Sequence, residues 1–309
     1  MIFIQYKLIR VAGCPPVRGM RKSARQKYAI LSFSPIQAGI VPRFSEAFPA
    51  CCQAGALSYL CAQKSTRMAK EILPYDDSGE SKKQQVRNMF DTISDKYDGL
   101  NRVISLGIDR RWRKRLVGLV VDKNPGSVLD IATGTGDLAL SLAQAGVKEV
   151  VGLDLAPGML EVGRRKVRDS GLDGQIEMVL GDSEALEFPD NRFDAVTVAF
   201  GVRNFEDLEK GLTEIYRVLR PGGTLAVLET SVPEKQPFRW GYNIYCRHFL
   251  PRVGRWFSKD PSAYSYLSRS AAAFPHGERF NNILGKIGFI AMEHRPQTFG
   301  AAAIYTATK

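Results

Sequence analysis

Only three histidines, His248, His276 and His294, occur in the 309 residues, and they are far apart. A metal centre built on imidazoles needs ligands at short, regular spacing, so no metal is expected. Four of the five cysteines (Cys14, Cys51, Cys52, Cys61) precede residue 62, with no C-x-x-C spacing and no histidine nearby. Neither a zinc site nor a disulfide framework follows, and Cys246, alone in the remainder, suits a reducing compartment. G-x-S-x-G and G-x-x-x-x-G-K-[ST] are both missing, which argues against serine hydrolases and phosphate-loop enzymes. Long apolar runs are missing too: the opening MIFIQYKLI is too short and too mixed to span a membrane.

Acids are scarce at one end of the chain. Residues 1–67 hold ten Lys/Arg against one acid, Glu46, whereas residues 68–309 hold 33 against 31. The basic balance therefore belongs to the leader, and the near-neutral remainder makes a nucleic-acid platform an unsuitable reading. The leader has no sustained period of 3.6 or 2 and carries scattered prolines, so it reads as unstructured. It fits a transit peptide, a disordered tail, or an upstream in-frame stretch that is not translated; the last is preferred, because RMAKEILPYDDSGESKK supplies a fresh methionine at Met68. Residues 68–309, about 240 residues, are long enough for one large domain.

Past Met68, elements alternate. Ser81 with Gln84 forms a capping box, after which Val86, Met89, Phe90, Ile93 and Tyr97 fall at helical spacing. A second helix, DRRWRKRLVGLVVD, puts Trp112, Leu116 and Leu119 on one side and crowds Arg110, Arg111, Arg113, Lys114 and Arg115 on the others, reading as a solvated face. Strands are expected at 128–131, EVVGLDL, IEMVLGD, FDAVTVAF and GGTLAVLET, with helices over 137–145, 157–168 and 206–219. The fold class is α/β, a doubly wound, mostly parallel sheet. IAMEHRPQT and GAAAIYTATK close it with an antiparallel hairpin turning at Phe299 and Gly300.

The stretch VLDIATGTGDLAL runs from a buried strand ending at the acid Asp130 into a turn with Gly134 and Gly136, then into a helix. These glycines let the backbone fold tightly and let a ligand approach unpaired N–H groups at the helix start. The spacing also satisfies the nicotinamide-binding fingerprint, and a plain structural turn stays open as well. The terminal hairpin argues against a nicotinamide enzyme. Asp154, about twenty residues on, ends the second strand, where a carboxylate accepts both ribose hydroxyl protons; its bland alternative is a helix N-cap. Asp182 and Ser183 end the third strand at the same edge, placed for an adenine ring and its amino group; the bland alternative is a loop aspartate.

VLDIATGTGDLAL, VVGLDLAPGML, GDSEALEFPDNRFD, FGVRNFED and LRPGGTLAVLE, with MFDTISDKYDGLN, SLGIDRRWR and YSYLSRSAAAFP outside the cofactor core, carry a likeness. In them the chain resembles class I S-adenosylmethionine-dependent methyltransferases, and more narrowly the ubiquinone/menaquinone-biosynthesis C-methyltransferase family. The resemblance spans nearly all of residues 72–309. It implies S-adenosyl-L-methionine as cofactor, held by Thr135, Asp154, Asp182 and Ser183, with Asp130, Gly134 and Gly136 in the same set. Some members place a serine where this chain has Ala199, so a hydroxyl contact there is absent.

It further implies C-methylation of a polyprenylated quinol, most simply demethylmenaquinol to menaquinol. A benzoquinol of ubiquinone biosynthesis and a non-catalytic cofactor- or quinone-binding protein are the alternatives. Such chemistry needs an aligned methyl group, a dry cavity and a stabilised phenolate. Arg203, after the fourth strand, can stabilise the phenolate or hold a proton-accepting water, and Asn204 can orient the same group; the bland reading of Arg203 is an interstrand salt bridge. Residues 238–274 mix ten aromatic rings with cations and one acid, Asp260, which suits lipid or a greasy ligand, while core packing accounts for part of them. The expected location is the cytoplasm, with peripheral contact at the inner membrane face, or the mitochondrial matrix if the leader is a transit peptide; a homodimer is compatible.

A chain shortened to begin at Met68 is expected to fold, bind cofactor and turn over like the full chain, because residues 1–67 offer no periodic apolar face. Loss of folding on truncation, followed by circular dichroism, would contradict this.

Overall fold

The computed structural model describes residues 72–75, 78–249, 252 and 261–309, with the backbone alone for 261–265. The expectation for residues 1–67, and the rings of Trp256, Phe257 and Tyr264, lie outside the described residues. Seven strands form one sheet in the order β3-β2-β1-β4-β5-β7-β6. The strands are β1 (Ser127–Ile131), β2 (Glu149–Asp154), β3 (Ile176–Leu180), β4 (Phe193–Ala199), β5 (Leu219–Thr230), β6 (Ile290–Gln297) and β7 (Ala302–Thr308). The first five are mutually parallel, β7 runs antiparallel to β5, and β6 antiparallel to β7. The doubly wound sheet with a terminal hairpin is thus present as expected.

The helices are α1 (Lys82–Ile93), α2 (Tyr97–Ile104), α3 (Asp109–Val121), α4 (Asp137–Gln144), α5 (Pro157–Asp169), α6 (Leu208–Val218), α7 (Phe238–Ile244), α8 (Pro261–Ala273) and α9 (Glu278–Ile287). Every residue of β1 is buried, as a central parallel strand requires when helices cover both faces. Side chains alternate between the faces. Leu129, Ile131, Val196 and Val227 pack with Leu212 and Ile215 of α6 and Phe280 of α9. Val128, Val150, Ala195 and Ala226 pack with Leu116 and Val120 of α3 and Leu138 of α4.

Three local expectations need correction. The first helix does not run on to Tyr97: it stops at Ile93, a 3-10 turn covers Ser94–Lys96, and Tyr97 opens α2. Half of the capping box forms. Ser81 Oγ accepts from the Gln84 N–H at 3.3 Å, but the Gln84 side chain donates to Asn88 Oδ1 instead of turning back. On α3 the buried stripe is Trp112, Leu116, Val117 and Val120, with Leu119 only half-buried. Nor is its cationic side uniformly solvated, since Arg113 pairs with Asp109 at 3.0 Å and Asp137 at 3.1 Å.

Gly211 of α6 lies against Phe205, and a Cβ there would fall 2.5 Å from ring Cδ2. Alanine in a helix ordinarily gains about 0.5–1 kcal/mol over glycine, whereas overpacking costs about 1–3 kcal/mol. Gly211→Ala is therefore expected to destabilise by about 1–2 kcal/mol in denaturant unfolding; a stabilised variant would show that the ring gives way freely.

Candidate active site

The strand order reverses between β1 and β4, the place where open α/β sheets bind ligands beyond the carboxyl ends of their strands. A cleft lies there. Gly134 follows β1, Asp154 ends β2, Asp182 and Ser183 follow β3, and Ala199 ends β4; all line it. Val86 and Phe90 of α1 and Met159 of α5 give it apolar walls suited to a flat base. Gly134 has φ of 58°, in the left-handed region that favours glycine.

Asp154 is held by backbone. Its Oδ2 accepts from Gly134 N at 2.8 Å and its Oδ1 from Ala156 N at 2.9 Å. The helix N-cap is Ala156, not Asp154. Burial pushes the Asp154 carboxyl above the usual carboxylate range, and the N–H groups of Ala156, Gly134 and Leu155 work against that shift. A carboxylate has about four acceptor positions, and these backbone N–H groups leave at least one unfilled. Asp182 accepts from Lys83 Nζ at 2.7 Å and from Glu184 N at 2.9 Å.

A smaller polar recess adjoins the cleft through Tyr97, Gly134 and Phe200, lined by Asp98, Arg113, Asp130, Thr135 and Asp137. Asp130 is fully buried and accepts hydrogen bonds from the hydroxyls of Thr133 at 2.6 Å and Thr197 at 2.7 Å. Burial pushes its carboxyl up to about 6, with those two hydroxyls holding it back. Thr135 Oγ1 donates to Asp98 Oδ1 at 2.5 Å. Carboxylates beside Arg113 suit the zwitterionic end of an amino acid. Gly136 lines neither space; a Cβ there would lie 3.0 Å from Met178 Cε, so its place is in packing at the helix start.

On the other side of Tyr97 and Phe200 opens an apolar cavity of about 380 Å³. Trp112, Phe238, Tyr242, Tyr245 and Phe299 supply aromatic walls, and Arg113 and Arg203 are the cations that line it. Arg203 pairs through Nη1 with Glu229 at the end of β5, and their side chains are 7% and 0% exposed. Burial opposes the Arg203 charge, but the Glu229 carboxylate outweighs it and holds the guanidinium above the ordinary arginine range. The salt bridge proposed as the bland reading thus exists, yet Arg203 Nε is buried without a partner. Asn204 lines the cleft instead, with its Oδ1 accepting from Tyr266 OH at 3.2 Å. The two residues sit on either side of one wall.

The sequence reading overlooked Glu229, whose signal was present: an acid closing the apolar run LAVLE, the same pattern that marked Asp130 and Asp154. It also left Tyr97 in a helix stripe, although Tyr97 lines all three spaces. Of the aromatic stretch, Tyr266 and Phe274 are core, while Phe238, Tyr242 and Tyr245 line the cavity. His294 stacks on Tyr305, and His276 Nδ1 lies 3.2 Å from Phe274 O.

Known proteins match this arrangement. The family model described as the ubiE/COQ5 methyltransferase family matches residues 78–309. A demethylmenaquinone methyltransferase of Bacteroides fragilis is 46% identical over 241 residues, 78% of this chain and 98% of that protein. One of Thermus thermophilus is 47% identical over 222 residues, covering 72% of this chain and all of that one. A ubiquinone/menaquinone biosynthesis C-methyltransferase of Geobacter sulfurreducens is 45% identical over 74% of this chain and 90% of its own length. The SAM-dependent methyltransferase of Thermotoga maritima shares the fold, with TM-score 0.51 and 19% identity over 72% of this chain and 99% of that one. The chain therefore belongs to the ubiE/COQ5 methyltransferase family, and its sheet is that of the S-adenosylmethionine-dependent methyltransferases.

Proposed function

We propose that this chain methylates a ring carbon of a polyprenylated quinol, demethylmenaquinol in the first place, with S-adenosyl-L-methionine as methyl donor. The observation that carries the reading is the unpartnered Nε of Arg203, buried beside an apolar cavity that shares Tyr97 and Phe200 with the cofactor cleft. A buried donor without an acceptor costs about 1–3 kcal/mol, so it calls for a ligand oxygen. An aromatic alcohol with a greasy body satisfies both the donor and the walls. The relatives' names supply the naphthoquinol.

The donor, when bound, supplies a methyl group already activated on sulfur. The protein's own part is alignment and charge. Asp154 holds the ribose, Asp182 and Ser183 meet the base, and Asp130, Thr135 and Gly134 border the amino-acid end. Arg203 stabilises the oxygen that loses its proton, which raises electron density at the neighbouring ring carbon. Tyr97 and Phe200 stand between the two spaces and keep the passage narrow and dry. Forming the new carbon–carbon bond would break the methyl–sulfur bond and leave S-adenosylhomocysteine, after which the ring carbon would give its proton to water and aromaticity would return.

Incubation with S-adenosylmethionine and chemically reduced demethylnaphthoquinol should yield a quinol heavier by one methylene, with S-adenosylhomocysteine in equal amount. Absence of both products by mass spectrometry would contradict the reaction.

Asp154→Ala is expected to weaken S-adenosylmethionine binding by about 1.5–3 kcal/mol in calorimetry; unchanged affinity would remove it from the site. Arg203→Ala strands a buried Glu229 and should cost about 3–5 kcal/mol of stability besides activity. Arg203→Lys is the fairer test, because an ammonium can keep the ion pair while the Nε donor disappears. Turnover should fall about a hundredfold with cofactor affinity intact. A lysine variant with full turnover per folded molecule would end the catalytic assignment.

A further inference from the structure

A lone donor such as Arg203 Nε does not read the oxidation state of a quinol. A guanidinium N–H is satisfied by a hydroxyl oxygen, a phenolate or a quinone carbonyl alike, because all three accept. Only the reduced ring carries a hydroxyl whose loss of a proton makes the neighbouring carbon a nucleophile. A site that tells the two rings apart needs a group that accepts and does not donate.

Asp109 is such a group, and among the described residues it is the only acid that lines the apolar cavity. It opens α3, where the helix dipole favours a carboxylate, and it is 6% exposed. The turn before it sets its partners. Leu106 and Gly107 both hold left-handed backbone, with φ of 52° and 75°, and Gly107 N donates to Ser105 Oγ at 3.1 Å. The Ser105 hydroxyl in turn donates to Asp109 Oδ1 at 2.5 Å. Arg113, one helical turn on, pairs with Oδ2 at 3.0 Å. These two partners leave at least one of the carboxylate's roughly four acceptor positions unfilled. An unfilled acceptor beside an apolar space is costly, and it calls for a donor.

Two ion pairs therefore contribute opposite members to one wall. Arg203 lines the cavity while its partner Glu229 is fully buried behind it. In the other pair the carboxylate itself lines the cavity, and Arg113 Nη1 is shared with Asp137 at 3.1 Å. Both pairs stand close to Tyr97, whose phenol feels the charges of Arg203 and Arg113. Trp112, three residues after Asp109, has its ring 6.3 Å from that of Phe200, three residues before Arg203. The hydroxyls of Thr230 and Tyr242 on the same wall both donate and accept, so they do not discriminate. A 1,4-quinol carries its two oxygens at opposite ends of the ring, which suits one donor and one acceptor.

We infer that Asp109 accepts a hydrogen bond from the quinol hydroxyl that does not meet Arg203, and thereby makes the site specific for the reduced ring. A quinone would set carbonyl lone pairs against the carboxylate and leave both unpaired. The inference rests on the proposed quinol reaction, within which Asp109 is a specificity-determining residue.

Oxygen-free calorimetry on the full chain with S-adenosylhomocysteine tests it. The probes are a short-chain naphthoquinone already carrying the methyl group, which leaves no open ring carbon for a thiol to attack, and its chemically reduced quinol. The quinol should bind about tenfold or more tighter than the quinone. Asp109→Asn keeps the shape but brings an N–H that can meet a carbonyl, and Asp109→Ala removes the acceptor. In either variant the preference should shrink to about threefold or less. The ratio is read on folded molecules, so a loss of stability does not imitate the effect. A residue that only holds the fold would weaken both rings alike, and an unmoved ratio would overturn the inference, as would a wild-type chain that binds both forms equally. Should the ratio stay unmoved while the unmethylated quinol is still methylated, the inference falls and the reaction stands. A preference that depends on Asp109 in a chain that transfers no methyl group would leave the selectivity standing and the reaction refuted. Binding of neither ring would overturn both.

Discussion

The pairing of Arg203 with Glu229 is the constraint around which the active end of the sheet is arranged. Glu229 is fully buried at the end of β5, and Thr230 donates to it from both backbone and hydroxyl. A buried carboxylate of this kind needs a cation. Arg203 answers from the 3-10 turn Val202–Asn204 that follows β4. Its position is therefore set by the adjacent strands β4 and β5 and not by a free loop. One arm of the guanidinium is consumed by the pair, and the buried Nε is left without a partner in a residue that lines the apolar cavity. In the proposed reaction the structural ion pair and the reactive group would be one residue, so removing Arg203 outright would confuse the two roles.

The cofactor side is closed by different means. Helices α1 and α2 cross the cleft chiefly through polar ties. Asp91 accepts from Gly158 N at 2.7 Å, Lys83 reaches Asp182 and also Glu184 at 3.1 Å, and Asp98 takes both Thr135 and Lys166. Among the described residues the apolar cluster centred on α1 is small, with Val86, Met89 and Tyr266 buried. Partly exposed ion pairs are individually weak, about 0–1 kcal/mol. A cover so held can loosen to admit and release a nucleoside without disturbing the two large cores beneath it. Tyr97 opens the second of these helices, so the cover also carries the partition between the cleft and the apolar cavity.

Much of this was legible in the amino-acid order, for physical reasons. Parallel strands buried on both faces are continuous apolar runs, and an acid ending such a run stands where ligands bind, which is how Asp130 and Asp154 were found. Glu229 obeys the same rule but ends a strand after two glycines, and attention to glycine turns missed it. Helical spacing could not reveal the break at Ser94, because Val86, Met89, Phe90, Ile93 and Tyr97 keep the period across it. Thr135 and Gly136 occupy the glycine turn, yet one is turned to Asp98 and the other packs on Met178. The apolar cavity was the least legible part. Its walls come from α2, α3, the turn after β4, α7 and the β6–β7 turn, a convergence that no local period encodes.

The central claim is that the free Nε–H of Arg203 waits for an oxygen of the quinol ring. A crystal structure with S-adenosylhomocysteine and a reduced naphthoquinol analogue tests it most directly. A ring oxygen should stand about 2.7–3.2 Å from Nε, with Nη1 still on Glu229. A ligand whose oxygens lie away from Arg203, with Nε satisfied by protein or left bare, would contradict the account.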